Sequence, residues 1–352
     1  MAKRLPLLLF LVLMLGLCGP AYATQSERPA NKPFTLVDEQ NKVIHQTGSQ
    51  VYTGDVYITA DNSRYRVVEI ISPNTARCVY QGKEIMPVIS EQNAALFSND
   101  IPVAAKNKMP TIAVYHTHSD ESYVPSDGKE SINGNGGIYD VGQALVTELK
   151  KRGFKVEYNK NNHNPHDINA YNRSRKTAAS LMKTGPDVIL DVHRDAVPAN
   201  QYRTNVKGEE VTKVKLVVGR SNPNMKTNLE FAKKIKAVMD KKDPGLSNGI
   251  YLGKGDYNQD LSPRAMLIEV GAHTNTKMDA EQGVKLFADI LPAVLGVSTS
   301  SRNTSGTSTG QPAAKPLTQN NQGAWTTILI ILVVVGAAAV GYYFLNRGST
   351  NK

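Results

Sequence analysis

Thr111-Ile-Ala-Val-Tyr-His-Thr-His-Ser-Asp-Glu-Ser-Tyr123 is the stretch on which the reading of this chain turns. Its first half, Ile112 to Tyr115, has the apolar run of a short buried strand. That run leads straight into two histidines and a glutamate. A strand that ends in metal-ligand residue types is how α/β proteins place a site at the carboxyl edge of a sheet. The stretch therefore predicts that His118 and Glu121 are two ligands of a catalytic zinc.

Working outward, the chain from Pro110 to about Val297 alternates strand and helix. Strands are expected at Ile112–Tyr115, Phe154–Tyr158, Val188–Val192, Val214–Val218 and Ala265–Val270. Helical spacing runs through Ile138–Arg152, Asn169–Lys183, Pro223–Lys241 and Asp279–Leu295. Gly153 stands where a helix end wants a residue free to adopt positive φ. Such alternation predicts an α/β fold with a mostly parallel sheet and helices on both faces.

The flanks read differently. Residues 24–108 hold short alternating runs such as Asp55-Val-Tyr-Ile-Thr and Tyr65-Arg-Val-Val-Glu-Ile-Ile, then a linker, which predicts a small all-β module. Lys3 and Arg4, the apolar run Leu5 to Leu17 and Ala21-Tyr-Ala23 predict a signal peptide over 1–23. Residues 298–325 have linker composition. Thr326 to Leu345 is 20 residues without a charge, bounded by Trp325, Tyr342 and Tyr343, and predicts a transmembrane helix with a short basic tail over 346–352. The expected domain order is thus signal peptide, β module, a 109–297 catalytic domain, tether and membrane anchor.

The formal net charge is +10, and without the four terminal cations Lys3, Arg4, Arg347 and Lys352 the span 24–325 keeps +6. A modest positive charge suits an anionic surface such as a cell wall, or plain solubility. No aromatic-interleaved basic patch or nucleic-acid motif is present, and the expected export argues against such a role. Past residue 23 only Cys78 remains, so no intramolecular disulfide can form.

Two further strands end in apt residues. Val188-Ile-Leu-Asp-Val-His193 carries a histidine at its end, and Ala265-Met-Leu-Ile-Glu269 carries a carboxylate among apolar neighbours, where an unpaired charge is costly. Two histidines and a carboxylate hold zinc and leave one position for water. A second carboxylate can then take the proton of that water. His118, Glu121 and His193 are the expected ligands and Glu269 the expected base. His116 is cast as a neighbour or substrate contact, and its role could exchange with that of His118. Arg264 and Arg194 are candidates for an oxyanion or substrate carboxylate, and Asp195 for orienting His193. His163 and His166 fall in a polar loop and are expected to be exposed.

The segments Tyr115-His-Thr-His-Ser-Asp-Glu-Ser-Tyr, His166-Asp-Ile-Asn-Ala-Tyr-Asn-Arg-Ser-Arg, Asp191-Val-His-Arg-Asp-Ala and Leu267-Ile-Glu-Val-Gly-Ala-His-Thr-Asn resemble the stage II sporulation protein P family. More distantly, His193-Arg-Asp-Ala and Leu267-Ile-Glu-Val-Gly resemble two motifs of zinc-dependent N-acetylmuramoyl-L-alanine amidases. The resemblance implies a phosphorylase/hydrolase-like fold of the zinc amidase/exopeptidase type. It implies cleavage of peptidoglycan between muramic acid and the stem peptide, with endopeptidase action on the stems. It also implies septal wall thinning in sporulation on the outer face of the membrane, alongside stage II sporulation proteins D and M. The amidases take their glutamate ligand from the start of the first helix. This chain has none in Asn133–Asp140, so Glu130 and Asp140 stand as alternatives to Glu121. Two other functions fit the same residues: a zinc peptidase acting on peptides alone, and an inactive wall-binding scaffold.

Overall fold

The computed structural model describes residues 32–89, 109–167 and 169–297. The expected signal peptide, tether, transmembrane helix and tail lie outside those residues.

Thirteen strands precede, separate and follow four principal helices. The N-terminal strands are β1 (Phe34–Val37), β2 (Val43–Thr47), β3 (Val56–Ile58), β4 (Ser63–Ser72) and β5 (Thr75–Lys83). Next come β6 (Thr111–Tyr115), α1 (Ile138–Lys151), β7 (Lys155–Tyr158), α2 (Ala170–Met182) and β8 (Val188–Asp195). A small hairpin, β9 (Arg203–Val206) and β10 (Glu209–Thr212), leads to β11 (Val214–Gly219), α3 (Met225–Lys242) and β12 (Ser247–Gly253). The last elements are β13 (Ala265–Ala272) and α4 (Lys277–Leu295).

Eleven of these strands form one sheet in the order β2-β1-β5-β4-β3-β12-β11-β13-β8-β6-β7. The sheet is mixed, which corrects the expectation of a mostly parallel one. Strands β13, β8, β6 and β7 run parallel, but β11 is antiparallel to β13 and β3 is antiparallel to β12. The reversal follows from chain length. Only residues 254–264 join β12 to β13, too few for a helical crossover, so β13 returns in the opposite direction.

The β module is corrected too, because it is not a separate layer. Strand β3 pairs with β12 through Val56↔Leu252 and Ile58↔Ile250, so the N-terminal strands extend the same sheet. Phe34, Leu36 and Val67 bury against Val217, Tyr251 and Leu267. Alone, those strands would leave that face in water.

Helices α1, α3 and α4 cover one face through Val141, Leu145, Leu149, Phe231, Ile235, Val284, Phe287 and Leu291. Helix α2 covers part of the other with Ala178 and Leu181 against Ala113, Tyr115 and Ile189. Helix α1 closes as its sequence requires: Gly153 takes φ of +87° and its N–H donates to Lys150 O. No described helix is long and apolar enough to cross a membrane. The two longest, α3 and α4, bury one face on the sheet and carry charge on the other. Among the described residues, the expectation of a C-terminal transmembrane helix finds no support.

Candidate metal centre

Strands β6, β8 and β13 end at the same edge of the sheet, and the predicted ligands gather there. His118 and Glu121 come from the loop that leaves β6, and His193 lies near the end of β8. His118 Nδ1 stands 3.1 Å from Glu121 Oε1, and His193 Nδ1 stands 3.2 Å from the same oxygen. One ligand atom from each of the three lies within 4.8 Å of the others, so they form a group able to hold a metal ion. Zinc bonds of about 2.0–2.1 Å in a tetrahedron separate neighbouring ligand atoms by roughly 3.3 Å. Both contacts to Glu121 match that edge.

The loop is fixed from both sides. Glu121 N closes a turn on His118 O at 3.4 Å, and Ile138 N of α1 donates to Glu121 O at 3.0 Å. Gly136 backs directly on this loop: a Cβ there would meet Asp120 C and Glu121 O at 2.5 Å. From β8, Arg194 N donates to Glu121 Oε2 at 2.8 Å, and the Arg194 guanidinium donates to Glu130 O at 3.0 Å. Arg194 therefore holds the glutamate and its loop rather than facing a substrate. Glu130 and Asp140 are exposed, and Asp140 pairs with Lys277, so neither replaces Glu121.

Charge in the site favours a cation. Burial works against an imidazolium at His193, yet Asp191 and Glu121 beside it hold its pKa well above the ordinary range. Burial likewise opposes ionisation of Glu121, but His193 and Arg194 hold its carboxyl well below the usual value. Two buried carboxylates thus converge on one imidazole. A proton answers them in the metal-free chain, and a divalent ion with the donor set of two nitrogens and one oxygen would answer them better. The residues fit zinc.

His193 is oriented by Asp191, a residue that the sequence reading passed over for Asp195. Asp191 Oδ1 lies 3.0 Å from His193 Nε2, and Thr117 donates to Asp191 through its N–H at 2.8 Å and its hydroxyl at 2.5 Å. A carboxylate behind a ligating imidazole fixes its tautomer and raises its basicity. Asp195 points elsewhere. It accepts from Gly48 N at 2.7 Å, from Tyr202 Oη at 2.9 Å and from buried Lys215.

Glu269 sits beside His193 on one flank and Lys215 on the other in the strand register. Its Oε2 is buried without a hydrogen-bond partner. Burial, reinforced by Asp195, pushes its pKa up to about 8. A carboxyl group poised near neutrality next to a metal group is suited to moving a proton.

The remaining candidates part company. His116 does not join the group: Nδ1 bonds to Val192 O at 2.8 Å and Nε2 to Tyr158 Oη at 2.9 Å, towards α1. Strand alternation ends at Tyr115, which is why His116 and His118 diverge. Arg264 precedes β13, five residues before Glu269, and a strand rising ~3.3 Å per residue puts it roughly 16 Å away at the opposite edge. It serves no reacting group at this centre.

Loop residues taken for solvent-exposed are instead structural. His163 is buried, bonded to His116 O at 2.7 Å and Thr177 Oγ1 at 2.8 Å. His166 stacks on His118 with ring centroids 3.9 Å apart and its Nδ1 3.1 Å from Asp120 Oδ1. Tyr171 of α2 covers the same group, 5.5 Å from His118 and 6.4 Å from His193 between centroids. Neither was a site candidate in the sequence, though both lie in the His166–Arg175 segment that carries the family resemblance.

Comparison with known proteins follows this geometry. The family model for stage II sporulation protein P matches residues 25–292. The stage II sporulation protein P of Bacillus subtilis strain 168 is 24% identical over 265 residues, which are 69% of this chain. The match spans 66% of that relative's length, just under two thirds. Among solved structures, the CwlD amidase from Clostridioides difficile, in complex with the GerS lipoprotein, gives a TM-score of 0.35 at 14% identity, covering 53% of this chain and 95% of that one. The apo N-acetylmuramyl-L-alanine amidase of Mycobacterium abscessus gives 0.34 at 15% identity, covering 53% and 96%. With the family model matching well over half of its length, through every strand of the central sheet, the chain belongs to the stage II sporulation protein P family.

Proposed function

We propose that this chain is a zinc-dependent peptidoglycan hydrolase of the N-acetylmuramoyl-L-alanine amidase type, with a further action on stem peptides. The observation that carries the reading is the convergence of His118, Glu121 and His193 beside buried Glu269. Family membership and the amidase-like segments around His193 and Glu269 support the substrate class. Peptidoglycan lies outside the cytoplasmic membrane, so the proposal places the protein there during sporulation, with stage II sporulation proteins D and M as partners.

His118, Glu121 and His193 would hold the ion. Zinc bound there supplies a Lewis acid and a water of lowered pKa. Glu269 takes a proton from the attacking water through Oε2 and returns it to the departing amide nitrogen. Asp191 keeps His193 in register through these changes of charge, and Arg194 does the same for Glu121. Burial of the group keeps competing water away from the proton path.

Digestion of purified sacculi tests the reading. An amidase releases glycan strands stripped of stem peptide and new alanyl amino termini. Release of peptide fragments alone, from glycan that keeps its stems, would replace the amidase by a peptidase. A protein that binds no zinc, or one whose Glu269→Gln variant lyses sacculi undiminished, would overturn the mechanism.

A further inference from the structure

A cavity of about 660 Å³ opens between the start of α2 and the segment after β7. Asn161, Asn162, Asn169, Asn172, Arg173 and Lys176 line its walls. Its floor is the buried pair His163 and Thr177, whose mutual bond and the His163 bond to His116 O make it rigid. The cavity adjoins the metal group through one residue. Ser119, next to His118, donates to Asn162 Oδ1 at 3.2 Å, and His163 N donates to Ser119 Oγ at 2.9 Å.

The lining has a definite chemical character. It contains no carboxylate and no tyrosine or tryptophan on which a sugar face could pack. Each of its four primary amides has one end engaged within the protein: Asn161 Nδ2 donates to Thr177 Oγ1 at 3.1 Å, Asn162 Oδ1 accepts from Ser119, and Asn172 Nδ2 donates to Asn169 Oδ1 at 3.4 Å. The other ends, two carbonyl acceptors on Asn161 and Asn172 and two amino donors on Asn162 and Asn169, are the complement of peptide groups. Of its two cations, Arg173 is committed, donating to His163 O and to Asp167 Oδ1 at 2.6 Å each. Lys176 is exposed and makes no ion pair with any described residue, so its charge is available to an anion.

We propose that this cavity is the subsite for the peptide arm of the substrate, a short acidic peptide whose amides meet the asparagines and whose carboxylate meets Lys176. The assignment rests on the hydrolase reading, because it makes the cavity the continuation of that centre.

Calorimetric titration of the full chain carrying Glu269→Gln, which separates binding from turnover, tests it. The probes are L-alanyl-γ-D-glutamate with free carboxylates and the same dipeptide with both carboxylates amidated. The free dipeptide should bind, and amidation should weaken it by about three- to tenfold, the worth of one partly exposed charged contact. Adding Lys176→Glu should weaken the free dipeptide to a similar extent and remove its advantage over the amidated form. Asn172→Ala should weaken both probes. Equal binding of the two dipeptides, or Lys176→Glu and Asn172→Ala proteins that bind like the parent, would overturn the subsite. These titrations do not depend on hydrolysis. A chain that fails to digest sacculi would sink the enzyme reading, whereas the dipeptide data alone decide the cavity.

Discussion

Asp191 and His193, two residues apart on β8, face each other across 3.0 Å from Oδ1 to Nε2. The contact gives the two ring nitrogens different neighbours. Nε2 faces the carboxylate at ion-pair distance, and Nδ1 faces the place where Glu121 and His118 meet. Replacing Asp191 by Asn should therefore lower zinc affinity by about 10- to 100-fold. Competition with a chromophoric chelator measures this, and unchanged affinity would mean that Asp191 does not orient the ligand.

Glu269→Gln separates proton transfer from metal binding. The variant should bind zinc stoichiometrically by elemental analysis and lose about 10²- to 10⁴-fold in the rate of sacculus digestion. Loss of zinc together with activity would instead make Glu269 part of the ligand set.

Two buried histidines make the fold acid-sensitive. Burial holds His116 down to about 4 and His45 well below the ordinary imidazole range. An unfolded chain takes up these protons near pH ~6.5, so below that the unfolded state binds more protons than the folded one. The stability contributed by the neutral rings is complete above pH ~6.5 and falls by up to about 1.4 kcal/mol per pH unit per histidine as acid is added. Glu269, raised to about 8 in the folded chain, works the other way because it gains its proton on folding. The histidine contribution is therefore read as the difference in urea-unfolding slope between metal-free parent and His45→Phe proteins from about pH 7 to about pH 5. His45→Phe, which keeps a ring against Tyr57, should flatten the slope; an unchanged slope would exclude His45 as a source.

Gly136 tests whether the ligand loop is held by close backbone packing. A methyl group there meets main-chain atoms of Asp120 and Glu121 at 2.5 Å, and main chain cannot swing aside. Gly136→Ala should cost about 1–3 kcal/mol in unfolding free energy and weaken zinc binding with it. Gly82→Ala is a control for overpacking alone, since nothing lies within 4 Å of its missing Cβ, although its positive φ carries a strain of its own.

The sequence was informative where chemistry and local geometry coincide. His193 and Glu269 stand at the ends of apolar strands, and a buried charge there announces a use. Asp191 was within reach of the same argument, because period-two alternation puts residues 191 and 193 on one face. Arg264 could have been set aside likewise, since it opens the strand that Glu269 nearly closes. His166 was not legible: its stacking on His118 depends on how a loop folds over a distant strand end. Nor could alternation tell which strands pair. The pattern in 34–83 predicts strands, but only the packing of Val56 and Ile58 shows that they complete the central sheet rather than make a sheet of their own.

That shared sheet sets where the chain can be cut. Gly48 N donates to Asp195 Oδ1 at 2.7 Å, and Lys215 Nζ, on the strand beside Glu269, donates to Thr47 Oγ1 at 3.4 Å. A fragment beginning at residue 109, which a domain map drawn from sequence would recommend, would strip one edge from β12 and hydrate the wall behind Glu269. The N-terminal strands and the strands that carry the metal group therefore belong to one sheet and are cut apart only at its cost. Any grafted or recombined version must inherit both.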